Sequence, residues 1–193
     1  TGVMVLASQN VDVYNNTISR HATTGVLMVS AYAAGEQDTS GIKDSQGNVY
    51  DNFGKGNYVH NNTITEFGYK PGGAFAKPGS IGGLQEFTDP FMAGYKSFPA
   101  VIWDGMVDPN PTYSTGVDLS TGYPVGGVYN TSYKVCSKAN AVTLPAAAVV
   151  PDYQNLDMNL GGLLTSTASF SFYPTPTRMN CTLTLPPVTG YPS

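Results

Sequence analysis

Charge is scarce in this chain. Asp, Glu, Lys and Arg make up only 11% of its 193 residues, against roughly 25% in an average soluble domain. Its nine basic residues are scattered and the net charge is −4. The concentrated positive footprint that nucleic-acid binding needs is missing, so no nucleic-acid partner is expected. Long apolar runs are missing too. The longest, residues 142–150, is broken by Thr143 and Pro145, well short of the roughly 18 residues of a spanning helix. No membrane span is expected. Cysteine is limited to Cys136 and Cys181. With no C-x-x-C and no metal-ligand spacing, no zinc site is expected. Ser-His-Asp, P-loop, dinucleotide and haem-attachment motifs are absent as well.

What is present is apolar content of 41%, enough for a packed core. Polarity comes from Asn, Ser, Thr, Gly and Tyr, a profile common in exported β-proteins. In such a setting the two cysteines favour one disulfide over two free thiols. A Cys136–Cys181 bridge would close a loop of about 45 residues and contribute about 4 kcal/mol by the chain-entropy model. The chain opens at Thr1 with no initiator Met and no signal peptide, and reads as processed or truncated. Secretion, the periplasm or the cell surface is the expected location.

The strongest signal is a repeat. Gly2-Val3-Met4-Val5-Leu6 returns as Gly25-Val26-Leu27-Met28-Val29, shifted by 23 residues. The run Val-Asp-Val-Tyr-Asn-Asn-Thr-Ile at 11–18 returns as Asn-Tyr-Val-His-Asn-Asn-Thr-Ile at 57–64, shifted by 46, twice 23. Self-similarity at 20 to 30 residues points to a solenoid. Val11, Val13 and Ile18 alternate with polar residues as short strands do, and paired asparagines follow as turns. Neither a leucine framework nor a helix per repeat is present. The fold expected is all-β, a right-handed parallel β-helix of few coils with long loop insertions and an irregular C-terminal cap. Val3 should stack on Val26, Val5 on Met28, Val13 on Val59 and Ile18 on Ile64. At least one asparagine pair, Asn15/Asn61 or Asn16/Asn62, should form an inward ladder that hydrogen-bonds the turn backbone. That ladder outweighs glycosylation as the reading of the sequons at Asn15 and Asn61. Two further sequons start at Asn130 and Asn180.

The doubled shift implies insertions. Residues 1–105 are read as coils, interrupted at 32–56 by a polar Gly-rich loop and at 69–97 by an extended Pro- and Gly-rich loop. Residues 98–105 read as one more buried strand. Residues 106–193 are read as a C-terminal cap and extension, with alternating strand patterns at 168–173 and 181–185. An uncapped first coil at Thr1 should pair with upstream chain, a partner subunit or another copy.

Five stretches carry a family resemblance. They are Gly-Val-Leu-Met-Val-Ser, the two Asn-Asn-Thr-Ile runs, Ile-Trp-Asp-Gly at 102–105 and Cys-x-Leu-x-Leu-Pro-Pro at 181–187. In their order along the chain they resemble a bacterial family of parallel β-helix repeat proteins, distantly like pectate lyases and mannuronan C5-epimerases. About half the chain is covered, mostly its first 105 residues. The resemblance implies an exported protein that handles polysaccharide. It carries no catalytic residue over to a position here, and relatives of this type have more N-terminal coils.

Candidate chemistry follows from residue type. Polyuronate lyases and epimerases need a base for the C5 proton and a cation for the carboxylate. Arg20, His21 and His60 are the candidates, expected on one flank within one or two coil spacings, with solvated surface as the bland alternative. Glu36, Asp38, Asp44 and Asp51 offer oxygens to calcium. No calcium-binding motif accompanies them, so no cofactor is expected and calcium is the alternative. Asp104 and Asp108 form a carboxylate pair. Tyr113, Tyr123 and Tyr129 lie in the stretch best suited to stack on sugar, while Trp103 reads as core. Two functions stand: a module binding polysaccharide or a protein partner, including a subunit of a larger assembly, and a β-helix lyase, epimerase or hydrolase.

Overall fold

The computed structural model describes residues 1–31, 42–43, 45–47, 49–50, 53–76, 84–106, 117–118, 123–124, 135–144, 155–158, 171–172 and 178–185. Most of their strands pair in parallel sheets. The chain threads three sheets in a fixed order. Its first pass is β1 (Val3–Leu6), β2 (Asp12–Tyr14) and β3 (Thr17–His21). The second is β4 (Val26–Val29), β7 (Asn57–His60) and β8 (Thr63–Phe67), with the antiparallel pair β5 (Ile42–Lys43) and β6 (Val49–Tyr50) between. The third is β9 (Val101–Trp103), β12 (Val135–Lys138) and β13 (Ala141–Val142), with a second antiparallel pair, β10 (Val117–Asp118) and β11 (Tyr123–Pro124), between. A fourth visit to the first sheet is β14 (Asn155–Asp157), on which β15 (Ser171–Phe172) pairs antiparallel.

The sheets therefore run β1-β4-β9-β14-β15, β2-β7-β12 and β3-β8-β13. Every pairing between passes is parallel, and the registers are those the repeat predicts: Val3 with Val26, Val5 with Met28, Val13 with Val59, Ile18 with Ile64. Side chains alternate across each strand. One face gives a core of Val5, Val13, Ile18, Val26, Met28, Val59, Ile64, Val101, Trp103 and Val135. This core is narrow, which explains the glycine that opens each repeat. A Cβ on Gly25 would lie 2.5 Å from Ile64 Cγ2, and one on Gly2 would lie 2.7 Å from Ile18 Cγ2.

A second apolar cluster lies on the outer face of the first sheet. Leu27, Ile102, Leu156 and Met158 pack there with Phe53, Phe75 and Phe98. Part of its cover comes from a segment expected as an extended loop. Residues 69–97 instead contain a 3-10 turn at Gly73–Ala76 and a helix, α1 (Leu84–Tyr95), whose Met92 and Tyr95 pack against the cluster. Pro90 and Gly94 mask this helix, because both read as breakers. It ends at Lys96, whose φ is +61° and whose N–H donates to the Met92 carbonyl at 3.1 Å, a left-handed C-terminal cap.

Two other expectations need correction. The sheets do not stop near residue 105. β12, β13 and β14 join them in parallel register, so part of the segment expected as a cap belongs to the repeating body. The repeat is obscured there because, apart from Asn140, β12 and β13 keep the burial pattern and not the residues. The alternation at 181–185 is one of exposure only, and forms no strand. Of the pattern at 168–173, Ser171–Phe172 is the described strand.

Candidate functional site

Each turn between the second and third sheets uses two residues in turn. The first takes a left-handed conformation: Asn15 (φ +55°), Asn61 (+53°) and Ala139 (+57°). Asparagine adopts it more readily than most residues. The second residue points into a ladder. Asn62 Oδ1 accepts the Asn16 N–H at 3.0 Å, and its Nδ2 donates to the Val13 carbonyl at 2.8 Å. One pass later Asn140 Oδ1 accepts the Asn62 N–H at 3.1 Å, and Nδ2 donates to the Val59 carbonyl at 3.2 Å. Each asparagine thus binds the pass before it. The ladder expected at Asn16/Asn62 is present and gains Asn140 as a rung. The sequon residues Asn15, Asn61 and Asn180 are all exposed.

The outward face of β2 and β7 carries the most distinctive surface group. Alternation turns Asp12 and Tyr14 outward from β2, and Tyr58 and His60 outward from β7. Register sets Asp12 beside Tyr58 and Tyr14 beside His60, with Lys138 of β12 next in line. The His60 ring stacks on Tyr14, centroids 5.5 Å apart and planes 7° apart, and on Tyr58 at 4.0 Å. His60 Nε2 lies 2.9 Å from Asp12 Oδ1, which orients the imidazole. Tyr58 is buried, whereas Tyr14 is 51% exposed and leaves ring surface open. Lys138 is exposed. The result is an aromatic ledge flanked by a carboxylate and an ammonium.

A second polar group lies buried at the far end. Asp157 sits one pass beyond Trp103 in the inner column of the first sheet. Arg178 clamps it with two hydrogen bonds, Nε to Oδ2 at 2.6 Å and Nη2 to Oδ1, and Nη2 also reaches the Gly105 carbonyl at 3.3 Å. The guanidinium lies 4.6 Å from the centre of the Trp103 ring, so Trp103 is core, as expected. Asp104 is buried nearby. Its Oδ2 accepts from the Ser30 N–H (2.6 Å) and hydroxyl (2.7 Å), and its Oδ1 from the Met106 N–H (3.1 Å). Burial raises its pKa to about 6, the Ser30 and Met106 hydrogen bonds oppose that, and Asp157 adds a smaller push upward. The same end is pinned by the Cys136–Cys181 disulfide, with Cα atoms 5.1 Å apart. Met179 is wholly buried against the core, and its carbonyl accepts the Ser137 N–H.

The three residues put forward as catalytic do not share one flank. His60 lies on the β2-β7-β12 sheet, paired with Asp12. Arg20 lies on the β3-β8-β13 sheet, exposed, 3.4 Å from Glu66. His21 is the register partner of the core residue Phe67, and its Cδ2 lies 2.6 Å from where a Gly2 Cβ would stand. It therefore packs on the inner side of the first pass. The two-residue offset between Arg20 and Ile18 hides this, because Arg20 takes a left-handed φ of +65° and shifts the alternation by one. Asp38, Asp44, Asp51, Asp108, Tyr113 and Tyr129 lie outside the described residues, and Tyr123 lies in the strand β11. Among the described residues no cluster of three or more His, Cys, Asp or Glu could hold a metal ion, and no helix is long and apolar enough to cross a membrane. Sequence reasoning missed Asp12, Tyr14 and Tyr58 as partners of His60. The signal was there: Tyr14 and His60 occupy equivalent places in the two Asn-Asn-Thr-Ile runs.

Comparison with protein-family models, with curated proteins and with solved structures finds no match to this chain.

Proposed function

We propose that the three parallel sheets are the faces of a right-handed parallel β-helix, and that this exported module binds polysaccharide on the ledge formed by Tyr14, His60 and Asp12. One observation carries the reading: a half-exposed tyrosine ring held rigid by a stacked, carboxylate-anchored histidine. A flat ring fixed in advance binds the apolar face of a sugar with little loss of freedom. Asp12 and Lys138 supply an acceptor and a donor for hydroxyl or carboxylate groups at its rim. Export is supported by the disulfide and the low charge.

Affinity electrophoresis through gels containing alginate, pectate, xylan or a neutral glucan tests this. Retardation by at least one polysaccharide is expected. Tyr14→Ala should weaken binding about tenfold, or about 1.4 kcal/mol, without changing the unfolding midpoint. No retardation in any gel, or full retardation of the variant, overturns the reading.

A second reading is supported by the same group. His60 oriented by Asp12 is a candidate base, and Lys138 in the next strand a candidate cation for a uronate carboxylate. Digestion of alginate or pectate, followed by ultraviolet absorbance of the unsaturated product, tests it. A rise that is lost in His60→Ala supports a lyase, and a flat trace rules it out.

A further inference from the structure

The first-pass edge has features that the polysaccharide reading does not use. Among the described residues, β1, β2 and β3 each pair on one side only. In β1 the N–H groups of Val3 and Ala7 donate toward the second pass, to the Gly25 and Val29 carbonyls at 2.9 and 2.8 Å. Backbone alternation along the strand points those of Met4 and Leu6 the other way. Their side chains are the outer-face counterparts of Leu27 and Val29, which are buried and half-buried in the second apolar cluster. Met4 and Leu6 are instead 57% and 45% exposed.

The asparagine ladder has a direction that ends at this edge. Asn62 and Asn140 each reach back to the previous pass, accepting a backbone N–H and donating to a carbonyl three residues before it. Among the described residues no pass lies before that of Asn16. Its Nδ2 donates to the Tyr14 carbonyl of its own strand at 2.9 Å and forward to Asn62 Oδ1 at 3.1 Å, and its Oδ1 receives no hydrogen bond from a described residue.

We propose that this edge is a docking surface for one further coil of polypeptide, running parallel to β1, β2 and β3. Its turn presents a backbone N–H to Asn16 Oδ1 and, in place of the Tyr14 carbonyl, a carbonyl to Asn16 Nδ2. Its strands pair with the amides of Met4 and Leu6, and its outer side chains cover those two residues. The occupant is defined by continuity, because the same registers and the same side-chain bridge already join three successive passes. The far end of a second copy cannot supply this coil. There β15 runs antiparallel, and the Met179 carbonyl already takes the Ser137 N–H. Two copies meeting edge to edge would pair antiparallel and leave the asparagine bridge unformed.

The test inserts a second copy of residues 2–24 between Thr1 and Gly2, with a scrambled insert of the same composition as control. Amide hydrogen exchange at the original Met4 and Leu6 is the readout. With the true insert, exchange at both should slow about tenfold or more, and the scrambled insert should leave it unchanged. Adding Asn16→Ala to the original pass should return much of that protection. Unchanged exchange with the true insert overturns the proposal. So does loss of folding with the true insert while the scrambled one folds. A dimer of the unmodified chain in which Met4 and Leu6 are already protected overturns it too, since the edge would then be paired with itself.

Discussion

The two ends of the stacked passes are built on opposite plans. Following the first sheet outward from β1, the inner column runs Val5, Met28, Trp103, Asp157, and its neighbour runs Val3, Val26, Val101, Asn155. Both columns change from apolar to polar at the last step. The polar residues are satisfied there. Asp157 is held by Arg178, and Asn155 accepts the Ser137 hydroxyl at 2.8 Å while donating to the Ser137 carbonyl at 3.2 Å. An antiparallel strand, the buried Met179 and the disulfide complete the closure. At the first pass nothing comparable occurs. The columns begin apolar, the strand edges carry no partner among the described residues, and the outer column that is buried at Leu27, Ile102 and Leu156 starts with exposed Met4. A stack of parallel strands offers its edge to more of the same. It ends where strand direction reverses and the inner column becomes charged.

This contrast makes quantitative demands, and the largest concerns ion pairs. Arg178→Ala would strand the buried Asp157 carboxylate and forfeit the contact with Trp103. A loss of about 3–5 kcal/mol in urea unfolding is expected. Arg20→Ala removes the exposed pair with Glu66 and should cost less than about 0.5 kcal/mol. Similar losses from both would erase the distinction between the ends.

Asp104 gives the plugged end a pH signature. Its folded pKa of about 6 lies above the ordinary 3.8, so the folded chain holds this proton more tightly than the unfolded one. The stabilising contribution is fully present below about pH 4 and is lost as pH rises through about 6. Acidification from about pH 7 to 4 should therefore add on the order of 3 kcal/mol from this group. Chemical denaturation across that range, wild type against Asp104→Asn, isolates it. The difference between the two should shift in favour of the wild type at low pH, and a constant difference would contradict the assignment.

The smallest effect tests the ladder. Asn62 bridges two passes on buried hydrogen bonds, and Asn62→Ala should cost about 1–3 kcal/mol. Asn16 also meets its neighbour pass, but at an exposed position, and Asn16→Ala should cost about 1 kcal/mol or less. Equal costs would mean that the direction of the ladder has no energetic consequence.

Much of this body was legible where residues repeat. The Gly-Val and Asn-Asn-Thr-Ile runs carry the register of the first two passes, because each inward position demands a similar shape. The third pass was legible only in its first strand, within residues 98–105. Val135 and Asn140 fill the places of Asn57 and Asn62, but Ala139 stands where asparagine stood, and a long insertion intervenes. The α1 helix was obscured by Pro90 and Gly94. In the candidate site, the repeat aligns Tyr14 with His60, 46 residues away, but gives no sign of Asp12, which lies 48 residues away and meets the imidazole only through sheet register. His21 was misread because one left-handed residue, Arg20, reverses the alternation after it.

The asymmetry of the ends is tested most directly by residue-resolved amide hydrogen exchange on the unmodified chain. Within β1, Val3 and Val5 should be protected while Met4 and Leu6 exchange freely, and Ile102, its amide flanked by β4 and β14, should be among the slowest. Met4 and Leu6 protected to the level of Ile102 would contradict an open first pass.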